Sequence, residues 1–166
     1  MTEAVTTGAA GASRILAQTR SVLVIDWPSR DVPATLAAAG FTVTVKGGPG
    51  PTDYTVWEVT DGEVVTRQLG RAPEHADLVY CHRPFSELPS IIAMAQGLGA
   101  RAVWRQSGLT STGAKAPDGC WTPPGESGQG RELAAAAGLD YIDDVYIADV
   151  VRAQWASNSL IRKTSQ

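Results

Sequence analysis

Short β-branched runs return along this chain at intervals that each leave room for one helix. Ser21–Asp26 (SVLVID) is a continuous apolar run, the pattern of a strand covered on both faces. Phe41–Val45, Asp77–Cys81, Arg101–Arg105 and Leu139–Asp143 repeat it. Helical spacing fills the gaps: Val32, Leu36 and Ala39 with Pro33 near the start and Gly40 as the stop. Leu88, Ile91, Ile92, Ala95 and Leu98 form one face of a second helix, which ends at Gly99. An Ala-rich helix over Arg131–Ala137 closes at Gly138, and a last helix has the face Ile147, Val150, Val151 and Trp155. A short helical stretch, Arg14–Gln18, precedes the first strand. Strands alternating with helices need crossover connections, which make neighbouring strands parallel and cover both sides of the sheet. The expected fold is α/β: a Rossmann-like, doubly wound, mainly parallel sheet.

Two insertions interrupt this alternation. Tyr54–Thr60 and Glu63–Leu69 flank Asp61-Gly62, a two-residue type I′ turn signal, because both turn positions need positive φ. That register sets Val59 against Val64 and Trp57 against Thr66. The apolar face of such a hairpin must be covered, either by its own domain or by a second chain. Packing on its own domain is the simpler expectation, and a homodimer through Tyr54–Leu69 is the other. The second insertion, Ser107–Gly130, holds six Gly and three Pro and reads as a long functional loop. It leaves the C-terminal end of the Arg101–Arg105 strand, where open α/β sheets bind their ligands.

The chain has 166 residues, 43% of them hydrophobic, which suits one domain with one sizeable core. Residues 14–156 form that domain, with tails over residues 1–13 and 157–166, whose Thr, Gly, Ala and Ser content buries little. A formal charge of −3 argues against nucleic acid as a partner. No apolar run approaches the length of a membrane span, and the start lacks the basic and apolar segments of a secretory leader. Two Cys, Cys81 and Cys120, cannot staple a fold of this size, so reduced thiols and a cytoplasmic location are expected.

Catalytic motifs are weak. Gly125-Glu126-Ser127-Gly128 misses the spacing of a nucleophile elbow and does not follow a strand. Zinc held by Cys81, His82 and Cys120 is disfavoured, since adjacent strand residues point to opposite faces. Asp26 ends the first strand as phospho-acceptor aspartates do, yet no acidic residue follows until Asp31. A phosphate-cradling Gly-Lys-Ser/Thr loop is absent. Gly125, Gly128 and Gly130 could turn backbone N–H groups toward an anion ahead of the Arg131 helix.

The middle of the chain resembles the single-domain CoA-binding protein family. These bacterial Rossmann-like proteins are related to the CoA-binding domain of succinyl-CoA synthetase. The resemblance is carried by Asp77-Leu78-Val79, Arg83, Pro89, and the run Gly99-Ala100-Arg101-Ala102-Val103-Trp104 with Gln106 and Gly108. It extends outward to Gly40-Phe41-Thr42-Val43 and to Ala137-Gly138-Leu139 with Asp144. It implies noncatalytic binding of CoA, acyl-CoA or a related adenine nucleotide. By position, Trp27-Pro28-Ser29 take the first phosphate turn, and Lys46 follows the second strand. His82 and Arg83 replace the family's Phe-Arg, and Gln106 and Gly108 line the switch point. The chain departs from the family at Asp26, where a glycine is usual and a carboxylate repels a diphosphate. Lys46-Gly47-Gly48-Pro49 stand in place of Asn-Pro and supply a positive charge. Two further readings stay open: a degenerate domain serving as an interaction or oligomerisation scaffold, and an enzyme built on Asp26, Lys46, His82 and Arg83.

Overall fold

The computed structural model describes residues 9–25, 30–106, 124–143 and 145–164; of 9, 10, 124 and 157–164 it describes the backbone alone. α1 (Ala9–Ala17) leads into β1 (Ser21–Ile25), followed by α2 (Asp31–Ala38) and β2 (Thr42–Lys46). The hairpin is β3 (Tyr54–Thr60) and β4 (Glu63–Gln68). Then come β5 (Leu78–Cys81), a 3-10 turn at Phe85–Glu87, α3 (Leu88–Gly97) and β6 (Ala102–Arg105). α4 (Pro124–Ala136), β7 (Asp140–Asp143) and α5 (Ile147–Thr164) complete the order.

The seven strands form one sheet in the order β4-β3-β2-β1-β5-β6-β7. β2, β1, β5, β6 and β7 run parallel, with Val22 opposite Val43 and Leu78, and Val103 opposite Tyr141. β3 and β4 are antiparallel additions beside β2. The chain moves outward from β1 to β2 and the hairpin, then returns to pair β5 on the other side of β1. That reversal between β1 and β5 opens a crevice beyond their C-termini, the ligand position of open α/β sheets.

Period-two alternation divides the core into two layers. Val22, Val24, Leu78, Tyr80, Ala102 and Trp104 pack under α1, α2 and α5. Leu23, Ile25, Val79, Cys81 and Val103 pack under α3 and α4 on the opposite face. The sheet is therefore doubly wound, as the alternation of strands and helices predicts. Trp104 is fully buried, and its indole N–H donates to Val145 O at 2.7 Å, tying β6 to the entry of α5.

Helix stops follow the glycine signals. After α2, Phe41 N–H donates to Leu36 O and Gly40 N–H to Ala37 O, the two bonds of a Schellman closure. The same pair recurs after α3 (Ala100 to Ala95, Gly99 to Gln96) and after α4 (Leu139 to Ala134, Gly138 to Ala135). The residue at the turn has φ of +99°, +72° and +75° respectively, which is why glycine stands there. The hairpin turn is of type I′, with φ of 53° at Asp61 and 82° at Gly62, and the pairs Val59–Val64 and Trp57–Thr66 are those expected. The hairpin packs on its own domain by extending the sheet, and Tyr54, Val56 and Trp57 are buried.

Three expectations need revision. Residues 124–130 of the expected Ser107–Gly130 loop are the first turns of α4, and residues 107–123 lie outside the described residues. Gly130 is small to let α4 approach β7: a Cβ there would sit 2.7 Å from the Tyr141 ring. Trp155 lies on the side of α5 that Ile147 and Val151 bury, yet it is 57% exposed, and Ala148 is buried instead. The backbone is helical from Ala9 and as far as Thr164, so helix enters both stretches assigned to tails. No helix among the described residues is long and apolar enough to cross a membrane.

Candidate functional site

A cavity of about 510 Å³ opens beyond the C-termini of β1, β2 and β5, on the α3 side of the sheet. Strand parity decides what faces it. Ile25 ends β1 on that side, Lys46 ends β2 opposite Tyr54, and Arg83 follows β5 in the phase of Cys81. Ile91 and Met94 from α3 make the apolar wall, and Glu87 stands at its entrance.

Both cations are held in place. Lys46 Nζ donates to Gly48 O at 2.5 Å and sits 5.7 Å from the centre of the Tyr54 ring. Burial raises the Tyr54 hydroxyl above its ordinary pKa, so it stays neutral beneath the ammonium. The loop after Lys46 folds around Asp53, whose Oδ2 accepts the Gly50 N–H at 2.7 Å. A Cβ at Gly48 would come within 2.6 Å of that carboxylate, so glycine there lets Asp53 fold in against the loop as it does. Arg83 donates from Nε to Glu87 Oε2 at 2.7 Å and from Nη2 to Glu87 Oε1 at 2.5 Å. These bonds hold the Glu87 carboxyl below its usual range.

Beneath Arg83 lies a second arginine. Arg105 is 4% exposed, donates from Nε to Arg83 O at 3.2 Å, and stacks 5.5 Å from the Phe85 ring centre. Its Nη2 is 3.8 Å from Glu126 Oε2 on α4. This buried guanidinium supports the segment that carries Arg83 and Glu87.

His82 and Gln106 are brought together, but on the other side of the strand ends. His82 N–H donates to Ile25 O at 3.2 Å, and its Nδ1 lies 3.1 Å from Gln106 O. A contact to a carbonyl requires the proton on Nδ1. Gln106 has no exposed surface; its Oε1 accepts the Tyr80 hydroxyl and, at 3.4 Å, the Ile147 N–H. Trp27, Pro28, Ser29 and Gly108 lie outside the described residues, as do Asp26 and Cys120. Cys81 is wholly buried, and burial pushes its thiol up to about 12.

The start of α2 is occupied by the chain's own carboxylate. Asp31 lies in its first turn, accepts Arg152 Nη2 at 2.6 Å, and also accepts the Tyr146 hydroxyl. A carboxylate in the first turn is favoured by the positive helix end, although the N-cap side chain makes no capping bond. The cationic groups facing the described cavity are Lys46 and Arg83. Sequence reasoning missed Glu87, whose i, i+4 spacing from Arg83 is visible, and Asp53, Ile91 and Met94, which carry no sequence signal for a site.

The comparisons agree with this architecture. A family model described as CoA binding domain matches residues 24–149. No curated protein matches the chain. Among solved structures, "cell-free ID.343 from Thermus thermophilus" is similar at 21% identity with a TM-score of 0.55, over 89% of this chain and 98% of that one. "Prb (PH1109 protein redesigned for binding)" is similar at 16% identity with a TM-score of 0.52, over 87% of this chain and 92% of that one. These two likenesses carry the fold, and the family match carries the relationship. The chain belongs to the CoA-binding domain family.

Proposed function

We propose that the cavity at the β1–β5 switch point binds CoA or a related adenine nucleotide without turning it over. The observation that supports this most is the convergence of Lys46 and Arg83 on one slot whose other wall is apolar. Two cations suit a diphosphate, and Ile25, Ile91 and Met94 suit a flat base or the apolar stretch of a thiol-ended or thioester-ended arm. The volume of about 510 Å³ falls in the range of small-ligand sites. By sequence position the proposed site also takes in Trp27, Pro28 and Ser29 after β1, His82 after β5 and Gly108 after β6. Gln106, which has no exposed surface, acts only by holding His82 through its backbone carbonyl. Binding without turnover is supported by the pairing of Glu87 with Arg83 and of Lys46 with a backbone carbonyl, which leaves neither poised as a general base. Calorimetric titration with CoA, acyl-CoA and ADP tests the reading. Saturable heat is expected, and none at millimolar ligand overturns it.

Self-association through the hairpin is a second reading, and the exposure of β4 favours it. Five of its six residues are exposed, Val65 by 38%, and Val59 on the paired strand is exposed by 47%.

A further inference from the structure

The edge of β4 has a register of its own. Thr60 and Glu63 close the two-residue turn and exchange both backbone bonds, as Glu58–Val65 and Val56–Arg67 then must. Leu69 N–H donating to Tyr54 O at 2.9 Å continues this phase. The N–H and C=O groups of Val64, Thr66 and Gln68 are therefore turned outward, and no described strand pairs with them. Edge strands are commonly blocked by Pro, Lys or a bulge. β4 reads EVVTRQ and is paired to β3 without a bulge, so its only deterrents are the charges of Glu63 and Arg67.

Those charges are self-complementary. A second copy added antiparallel about a two-fold axis must set one residue opposite itself. Centred on Thr66, the pairing puts Val65 against Arg67; centred on Val64, it puts Glu63 against Val65. Centred on Val65, it puts Glu63 against Arg67 at both ends and Val65 against its own copy. Val64 and Thr66 then exchange their outward bonds with each other across the axis. Glu63, Val65 and Arg67 all lie on one face in non-hydrogen-bonded positions, where facing side chains are closest. Arg67 is already drawn toward the acidic side, donating from Nε to Glu58 Oε1 at 3.1 Å.

We infer that β4 joins a second copy of this chain edge to edge, in the antiparallel register centred on Val65, to continue the sheet across a two-fold axis. The register rests on the self-association reading and refines it. Light scattering after size exclusion on the full chain is expected to show a dimer at micromolar concentration. Glu63→Arg or Arg67→Glu alone sets like charges opposite each other twice, and each weakens dimerisation about tenfold or more. An equimolar mixture of the two variants restores opposite charges at both ends and regains the dimer as a mixed pair. Val65→Cys in a Cys120→Ser background cross-links on oxidation, since facing non-hydrogen-bonded positions bring Cα atoms to about 4.5 Å. A strict monomer overturns both the self-association reading and the register. A dimer that ignores the charge variants, or that fails to cross-link at residue 65, overturns the register alone.

Discussion

Arg83 lines the cavity with its guanidinium bonded by two of its nitrogens to Glu87, so under the proposed function a phosphate would compete with a carboxylate for those donors. Arg83→Ala is expected to weaken CoA binding about tenfold or more, the usual worth of a charge-assisted contact. Glu87→Gln weakens the competitor and is expected to tighten binding about twofold to fivefold. Calorimetric titration of both variants reads the two opposite shifts. At the other end of the sheet, burial alone would push the Asp77 carboxyl up. Bonds from His75, at 2.8 Å, and from the Arg20 and Ser21 N–H groups outweigh it and hold the group at about 2. A depressed folded-state pKa stabilises the fold above the unfolded value near 3.8, and that contribution fades as pH falls toward 2. Asp77→Asn is expected to cost about 1–3 kcal/mol at neutral pH, with the gap to wild type closing in denaturant melts near pH 2. Side-chain direction explains which predicted residues meet. Lys46 and Arg83 share the parity of Ile25 across the sheet and face the cavity. Gln106 continues the phase of Ala102 and Trp104 and turns into the layer beneath α5. Period two made that legible in principle, but the side of the sheet on which the cavity opens was not.

Among the elements, α4 departs furthest from its sequence pattern. Glycine before a helix usually signals a connector, and three glycines hid its first two turns. Gly130 holds its place through contact with Tyr141, whereas a side chain at Gly128 would meet nothing within 4 Å. Gly130→Ala is expected to cost about 1–3 kcal/mol by overpacking. Gly128→Ala is expected to stabilise by about 0.5–1 kcal/mol through helix propensity and a less flexible unfolded chain. Thermal melts should therefore move in opposite directions for two substitutions two residues apart. The hairpin, by contrast, was legible to the residue pair, because a two-residue turn sets the register of the strands it joins. Its insertion next to β2 was not legible, since pairing across the gap depends on Trp57 and Val43 meeting in three dimensions.

The whole molecule is two helical layers on one sheet, and contacts distant in sequence hold the layers in place. Asp31 at the start of α2 binds Tyr146 and Arg152, 115 and 121 residues away, and so locks α5 over α2. A ligand bound at the strand ends would add to the stability of the entire fold. With CoA at a hundred times its Kd, the gain is about 2.7 kcal/mol, which raises Tm by about 5–11 °C for a chain of this size. Differential scanning calorimetry with and without CoA reads that shift, and a melting curve unmoved by millimolar CoA contradicts binding to the folded state. Strand and helix identity, the Schellman stops, the hairpin register and the family were all written in local pattern, because each depends on residues within a turn or a strand of one another. The convergence of Lys46 and Arg83 on one cavity and the burial of Gln106 and Arg105 came only with the folded chain. Each depends on which face of the sheet a side chain meets, and that is settled by packing between segments far apart in sequence.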